Sequence, residues 1–531
     1  MKKYQIISSA LIVMAMMMTS CLKDLNVTPL NTKITTAATV YSTPLAYKEG
    51  LAKLYATFAI SGQQGPAGQA DIAGIDEGFS NYIRQYWNAQ ELTTDEAVMC
   101  WNDATIKSFH WQTWAASDVF VGALYSRIMY TVSLSNEYIR ATAGKTDADI
   151  MKYNAEARFL RALAYYHAID MFGNPPFVTE ADKPGAFFPK QTTRAALFTY
   201  VESELKAIET QVGAPKFEYG RADQGAVWTL LAKLYLNAKV YVGTDRSTDC
   251  ITYCNKIISS NKYSLSPKYL NNFLADNNTS PEMIFPIESD GLHTQSYGGM
   301  TYLVEASIGG TMPPTSLFGM GSGWAGIRTT SSFVTTFTRN SDVQTTDQIK
   351  AGTSKDSRIL FWSDGQSLTI NDIGQFTDGW GITKFRNVTS TGAAGSNPSF
   401  VDTDYPMFRL ADVYLMYAEA VLRGGTGGDA TTALGYVNLI RTRAYGNATG
   451  NITSAQLTLP FILDERGREL YWEGYRRTDL IRFAEFTTAA YLWPWKGNVA
   501  TGTATQDFRN LFPIPSADLG ANPTLKQNTG Y

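Results

Sequence analysis

The stretch Glu156–Gly173, EARFLRALAYYHAIDMFG, constrains what this chain can fold into more than any other. Thr146 and Asp147 place capping oxygens ahead of it, and Gly173, Asn174 and Pro175 stop it, so it reads as one helix. Apolar or small residues at Ile150, Tyr153, Ala157, Leu160, Ala164, Ala168 and Met171 advance by threes and fours and share one helical face. The spacing of Tyr165, Ala168 and Gly173 returns at Tyr235, Ala238 and Gly243, and again at Tyr417, Ala420 and Gly425. Small residues at such positions let a neighbouring helix approach closely, and repeated helical hairpins bury their apolar faces by stacking on one another. The pattern therefore predicts a mainly α fold, a tetratricopeptide-like helical-repeat scaffold with units too far apart for a strict repeat.

Other segments carry the same helical period: Pro44–Ala59, Asp118–Ala141, a helix after Thr193 with Leu197, Val201, Leu205 and Ile208 on one face, Gly225–Val242, Thr248–Ser260, Met407–Arg423, Thr431–Arg443 and Phe461–Phe486. Two stretches break it. Residues about 60–115 are irregular and crowded with Tyr82, Tyr86, Trp87, Trp101, Trp111 and Trp114. Residues 262–405 are rich in Gly, Ser, Thr and Asn, with short β-like runs such as Met283–Ile287. Loop-rich segments of this length inside a folded chain usually carry function. The expectation is one domain over 21–531, a helical frame holding loop-rich, mixed α/β insertions, with an extended tail from Phe512 to Tyr531.

With 44% hydrophobic and 18% charged residues, the chain is globular, and a net charge of −3 offers no basic field for nucleic acid. No RNA- or DNA-binding motif is present. Eleven Trp and 30 Tyr exceed what a core alone needs and point to a ligand surface. Cys100, Cys250 and Cys254 are too sparse for a disulfide framework and read as buried thiols. At the start, Lys2 and Lys3 precede the uncharged run Ile6–Met18, which falls short of the ~20 residues a membrane-spanning helix needs. MTSC, ending at Cys21, resembles a relaxed lipobox. It implies a signal peptide over 1–20 and a lipid-modified Cys21 that anchors the protein at a membrane surface.

NAEARFLRALAYYHAIDMFGNPPFV, MFRLADVYLMYAEAVLR, DERGRELYWEGYRRTDLIRF and the closing FPIPSADL…NPTLKQNTGY resemble the SusD/RagB family of Bacteroidetes outer-membrane lipoproteins. The resemblance covers the whole chain. It implies a surface-exposed, lipid-anchored glycan binder at the cell outer membrane, without enzymatic activity or a catalytic cofactor, seated on a partner TonB-dependent transporter of the SusC type. The blocks IDEGFSNYIRQYWNAQELTTDE, SYGGMTYLV, GWAGI, FTDGW and YLWPWKG are similar to the family's starch-binding founder, whose aromatic arc cradles an α-1,4-glucan. Carried over by motif, Trp101, Tyr297 and Trp324 are ring positions, while Arg84 and Asn102 hydrogen-bond hydroxyls. The sequence departs at Met99, where the founder has a second Trp, and its loop after Trp101 is shorter; a different glycan, or peptides, is the alternative ligand class.

Asp402 and Asp404 alternate on an extended segment, and hard cations favour such oxygen ligands. The resemblance implies a structural calcium there, completed by Asn278 or Asp276; a turn and helix cap before Tyr405-Pro406 is the other reading. Glu465, Glu469 and Glu473, spaced by four, could meet as a glycosidase pair. Arg466, Arg468, Arg476 and Arg477 share that segment and would keep the carboxylates ionised, which favours a structural charge network over a secreted glycoside hydrolase.

Overall fold

Side-chain caps start many of the helices. In this computed structural model, which describes residues 37–531 apart from 104, 183, 184, 186 and 340–344, the main helices are α1 Pro44–Ala59, α2 Tyr82–Trp87, α3 Val119–Thr142, α4 Ala148–Met171, α5 Arg194–Ile208, α6 Gln224–Leu236, α7 Ser247–Ser259, α8 Gly299–Ser307, α9 Leu410–Leu422, α10 Ala430–Tyr445, α11 Leu459–Leu470 and α12 Arg476–Arg482. Asn81, Asp118, Asp147, Thr193, Asp223, Asp429 and Thr458 each accept a hydrogen bond from a first-turn amide of the helix that follows. Asp147→Ala is expected to lower stability by about 1 kcal/mol, read as a lower thermal midpoint. The chain divides into two units, one ending at Tyr47 and the other running Lys48–Tyr531; the following description concerns the second. Cys21 and the signal peptide lie outside the described residues.

Neighbours stack in the order the repeat signature implies: α3 on α4, α4 on α5, α6 on α7, α7 on α9 and α9 on α10. The fold is mainly α. Within it α4 differs from the one-faced helix its spacing predicts. From Ala155 to Met171 every residue but Arg158 is buried, so the helix is surrounded by protein. Its charged residues survive burial because each finds a partner: Glu156 with Arg221, Arg161 with Glu204, and Asp170 with Arg477. The recurring glycines also divide. Gly173 and Gly243 take left-handed conformations, with φ of 69° and 73°. After α9 that role falls to Gly424 (φ 92°), while Gly425 stands where a Cβ would lie 2.7 Å from Ile251.

The strands are short: β1 Val98–Met99, β2 Met283–Ile287, β3 Ile327–Arg328, β4 Phe361–Trp362, β5 Gly381–Ile382 and β6 Tyr405–Arg409. They form three antiparallel pairs, β1–β3, β2–β6 and β4–β5. Two predicted helices change accordingly. Met407–Arg409 belongs to β6, and α9 begins only at Leu410. Phe461–Phe486 is not continuous, because Trp472 and Gly474 turn left-handed, with φ of 64° and 81°. The amides freed by this break are taken up by buried carboxylates: Trp472 N–H donates to Glu96 at 3.0 Å, and Gly474 N–H to Glu91 at 2.6 Å. The tail also carries a short helix, Ser516–Ala521. Many of the rings in the irregular stretches are core, since Tyr82, Trp87, Trp114 and Tyr302 are fully buried. Cys100, Cys250 and Cys254 are buried free thiols. No helix among the described residues is long and apolar enough to cross a membrane.

Candidate functional site

The β1–β3 pair brings the two aromatic insertions together. Val98 faces Arg328 and Met99 faces Ile327, and Cys100 N–H extends the pairing to the Gly326 carbonyl at 2.9 Å. Just beyond, Trp101 lies against Gly326, where a Cβ would come within 2.6 Å of its indole. Its Nε1 donates to the Trp324 carbonyl at 3.1 Å. Trp324, Ala325 and Gly326 are pinned in turn to the end of α8, donating to the carbonyls of Glu305, Ile308 and Ala306 at 2.7–2.8 Å. Tyr297 arrives from the start of α8. Glu77 holds its loop, accepting from the Ser296 hydroxyl at 2.7 Å and the Tyr297 amide at 3.3 Å. Gly298 fits against Asn81, where a Cβ would lie 2.1 Å from that side chain.

The three predicted ring positions therefore form a row. Ring centroids are 6.3 Å apart from Trp101 to Trp324 and 6.2 Å from Trp324 to Tyr297, with planes tilted by 43° and 55°. Tyr297 is 42% exposed, and the two indoles are half-buried. Buried Phe400 backs Tyr297 at 5.3 Å, and buried Tyr302 backs Trp101 at 6.2 Å. Arg84 lies beneath, its guanidinium 4.5 Å from the Phe79 ring centroid and 4.2 Å from that of Tyr302. Burial lowers its pKa, and its Nε has no hydrogen-bond partner. Exposed Asn102 accepts from Lys107 Nζ at 2.6 Å, which leaves its amide nitrogen as a donor. Met99 is only 2% exposed and belongs to the core.

Asp402, Asp404 and Asn278 do not meet as calcium ligands. Asp402 accepts from Gly291 N–H at 2.8 Å and from the Ser396 amide and hydroxyl at 2.6 Å. Asp404 accepts from the Tyr219 hydroxyl and from Ser289 N–H at 2.8 Å, and burial pushes its carboxyl up to about 7. Asn278 is exposed; its neighbour Asn277 is the residue bonded to the Asp404 backbone. Calcium takes six to eight converging oxygens. Here the carboxylate oxygens are spent on N–H and O–H donors. Among the described residues no group of three or more His, Cys, Asp and Glu side chains is placed to hold an ion. The residues present do not fit the metal.

Glu465 and Glu469 are fully buried on α11, with Glu473 beyond its end, inside a network of guanidinium groups. Most of its cations come from other elements, in contrast to the local partners predicted. Arg358 reaches Glu465 at 2.8 Å, and Arg409 reaches Glu469 at 2.7 Å and Glu473 at 2.6 Å. Arg441 and Arg468 close on Glu465, Arg443 on Glu469 and Lys384 on Glu473. Of the four local arginines only Arg468 joins in; Arg466 pairs with Asp412 and Asp479, Arg476 with Asp95 and Arg477 with Asp170. The arginines hold Glu469 down to about 2, the opposite of a proton-donating acid. Asp412 and Glu419 are likewise held at about 2, by Lys233 and Arg482 first. These depressed groups stabilise the fold above the ordinary carboxylate pKa, and the contribution is lost as pH falls from about 4 toward 2. The urea midpoint is expected to drop steeply over that window.

The SusD family model matches residues 239–531. The starch-binding protein SusD of Bacteroides thetaiotaomicron is 35% identical, over 99% of this chain and 98% of its own length. The chain belongs to the SusD family. A SusD-like protein of Formosa agariphila, P25, is 26% identical over 76% of this chain and 78% of its own. Among solved structures, surface glycan-binding protein A from B. thetaiotaomicron in complex with laminarihexaose superposes with a TM-score of 0.68, at 19% identity, over 91% of this chain and 99% of that one. That likeness shows that the SusD fold is shared.

Glu77, Tyr302, Glu305 and Phe400, none singled out from the sequence, set the positions of the three rings. Glu77 sits in the IDEGF block that flagged Arg84, but its acceptor role depends on Tyr297, 220 residues further along the chain.

Proposed function

We propose that this chain is a non-catalytic glycan-binding lipoprotein that takes up α-1,4-glucan on the Trp101–Trp324–Tyr297 row. In this reading Cys21 carries the lipid that holds it at the outer-membrane surface, and a SusC-type TonB-dependent transporter receives the ligand. The row itself carries the proposal. A pyranose ring has an apolar C–H face that stacks on an aromatic ring, while its hydroxyls point outward. Successive tilts of 43° and 55° make the row non-planar, which suits the winding of an α-1,4-glucan better than a flat, ribbon-like β-1,4-linked chain. Asn102, next to Trp101 in sequence, keeps its amide nitrogen as a donor, and Arg84 packs against Tyr302 behind the row. The starch-binding name of the 35% identical relative supports the choice of glycan. The buried, ion-paired state of Glu465, Glu469 and Glu473 supports binding without hydrolysis.

Affinity electrophoresis tests this: the purified protein is expected to be retarded in a gel containing amylopectin, with no reducing sugar released. Free passage through gels of every α-glucan would overturn the starch assignment.

A further inference from the structure

Behind the Asp76–Phe79 loop runs a groove that the row of rings does not use. Two open cavities, about 430 and 610 Å³, lie end to end and share Tyr125, Ser126 and Asp518. Their floor is one face of α3, where Val119, Gly122, Ser126, Met129 and Ser133 recur at helical spacing. A Cβ built on Gly122 would meet nothing within 4 Å, so the floor is open above it. At the far end Phe187 and Phe188 are 47% and 57% exposed, and Tyr130 stands half-buried beside them. Exposed aromatic side chains gathered at a groove mark a recognition surface.

Two observations choose the occupant. The first is charge: among the described residues no Lys, Arg or His lines either cavity. An anionic ligand would therefore find no cation there to pair with. The carboxylates that line the cavities are already engaged. Asp71 pairs with Lys53 at 2.7 Å, Asp118 caps α3, Asp76 accepts from Gly78 N–H, and Asp518 accepts from the Tyr125 hydroxyl. Asp118 and Asp518, however, accept from neutral N–H and O–H groups and keep their charge, so charge alone does not separate a cationic peptide from a neutral ligand. Rings, hydroxyls and carboxylate acceptors also suit a neutral polyhydroxy chain, whose hydroxyls donate and whose C–H faces stack.

The second observation is continuity. The groove wall is the loop that borders the row of rings. A Cβ on Gly78 would sit 3.3 Å from the Cβ of Tyr297, while Phe79 lines the groove, packs edge-on against Phe120 at 5.5 Å and supports Arg84 at 4.5 Å. We infer that this groove is a second carbohydrate subsite, which holds a further length of a neutral glycan chain or a second branch of it. Short oligosaccharides would occupy the row alone, and long chains would engage both surfaces. Linking the two raises affinity through effective concentration. The inference rests on the glycan-binding reading above but not on starch as the glycan.

Titrations of the wild type, Phe188→Ala and Tyr130→Ala with maltohexaose and with long-chain amylose test it, thermal midpoints serving as the folding control. Both groove variants are expected to bind maltohexaose as the wild type does and amylose roughly tenfold more weakly. Equal amylose affinity in all three proteins, or equal losses for both ligands, would overturn the subsite. If the starch reading alone is wrong, a neutral-glycan array will show another preferred glycan, and Phe188→Ala will weaken its long form only. Capture of a lysine-rich peptide, lost in Phe188→Ala, would overturn the carbohydrate assignment.

Discussion

Tyr297→Ala is expected to weaken α-glucan binding by about 30- to 150-fold, or roughly 2–3 kcal/mol, with the thermal midpoint nearly unchanged. The magnitude follows from roughly 100 Å² of apolar ring and sugar surface returned to water at about 25 cal/mol per Å². The tyrosine is the most exposed ring of the row, and its backbone is held independently, by Glu77 at the amide and by the fit of Gly298 against Asn81. Removing the ring therefore leaves the loop in place. Trp101→Ala is expected to weaken binding at least as much, by a mixed route. It deletes the hydrogen bond to the Trp324 carbonyl and the contact with Gly326, and so loosens the segment that presents Trp324. Tyr297→Ala is the cleaner probe. Titration calorimetry with maltoheptaose reads the affinity, and a drop in midpoint matching the loss of binding would move Tyr297 from the ligand surface to the frame.

Glu469→Gln is expected to destabilise the protein by about 3–5 kcal/mol and to change no catalytic activity. Glu469 receives Arg358, Arg409 and Arg443 inside a fully buried cluster. Neutralising it leaves three guanidinium groups with one carboxylate fewer, and the new amide nitrogen would donate toward groups that only donate. The remaining acids, Asp356, Glu282, Glu465 and Glu473, keep the cluster from collapsing outright. A lower denaturation midpoint, with no reducing sugar released by either protein, is the expected result. A Glu469→Gln variant that folds with the wild-type midpoint but loses a hydrolytic activity would revive the glycosidase reading.

The helical frame was legible because its signals are local. Asp118, Asp147 and Thr193 cap the helices they precede, and Leu197, Val201, Leu205 and Ile208 share the buried face of α5. Where the reading failed, a distant partner decided. Phe461–Phe486 has an unbroken apolar period, yet Glu91 and Glu96, far earlier in the chain, take the amides at the break. The helix α4 shows a single apolar stripe, yet its polar residues are buried because Arg221, Glu204 and Arg477 come from elsewhere.

The same division holds at the site. Trp101, Tyr297 and Trp324 were marked by their motifs, and the structure brings them into one row, with Arg84 beneath and Asn102 alongside in sequence. What the motifs could not show is the support: a two-residue strand pair and the end of α8 set the spacing of the rings. The alternating Asp402 and Asp404 look like a ligand pair in sequence, but Ser396, Ser289 and Tyr219 use their oxygens. No spacing rule reveals such donors.

The central claim is that a non-planar row of rings selects an α-1,4-linked chain. Parallel titrations of the wild type with maltohexaose and cellohexaose, hexamers of the same sugar differing only in the configuration of the 1,4 linkage, test it most directly. The account predicts binding of maltohexaose, weakened in Tyr297→Ala, and at least tenfold weaker binding of cellohexaose. Equal affinities, or a preference for cellohexaose, would contradict it.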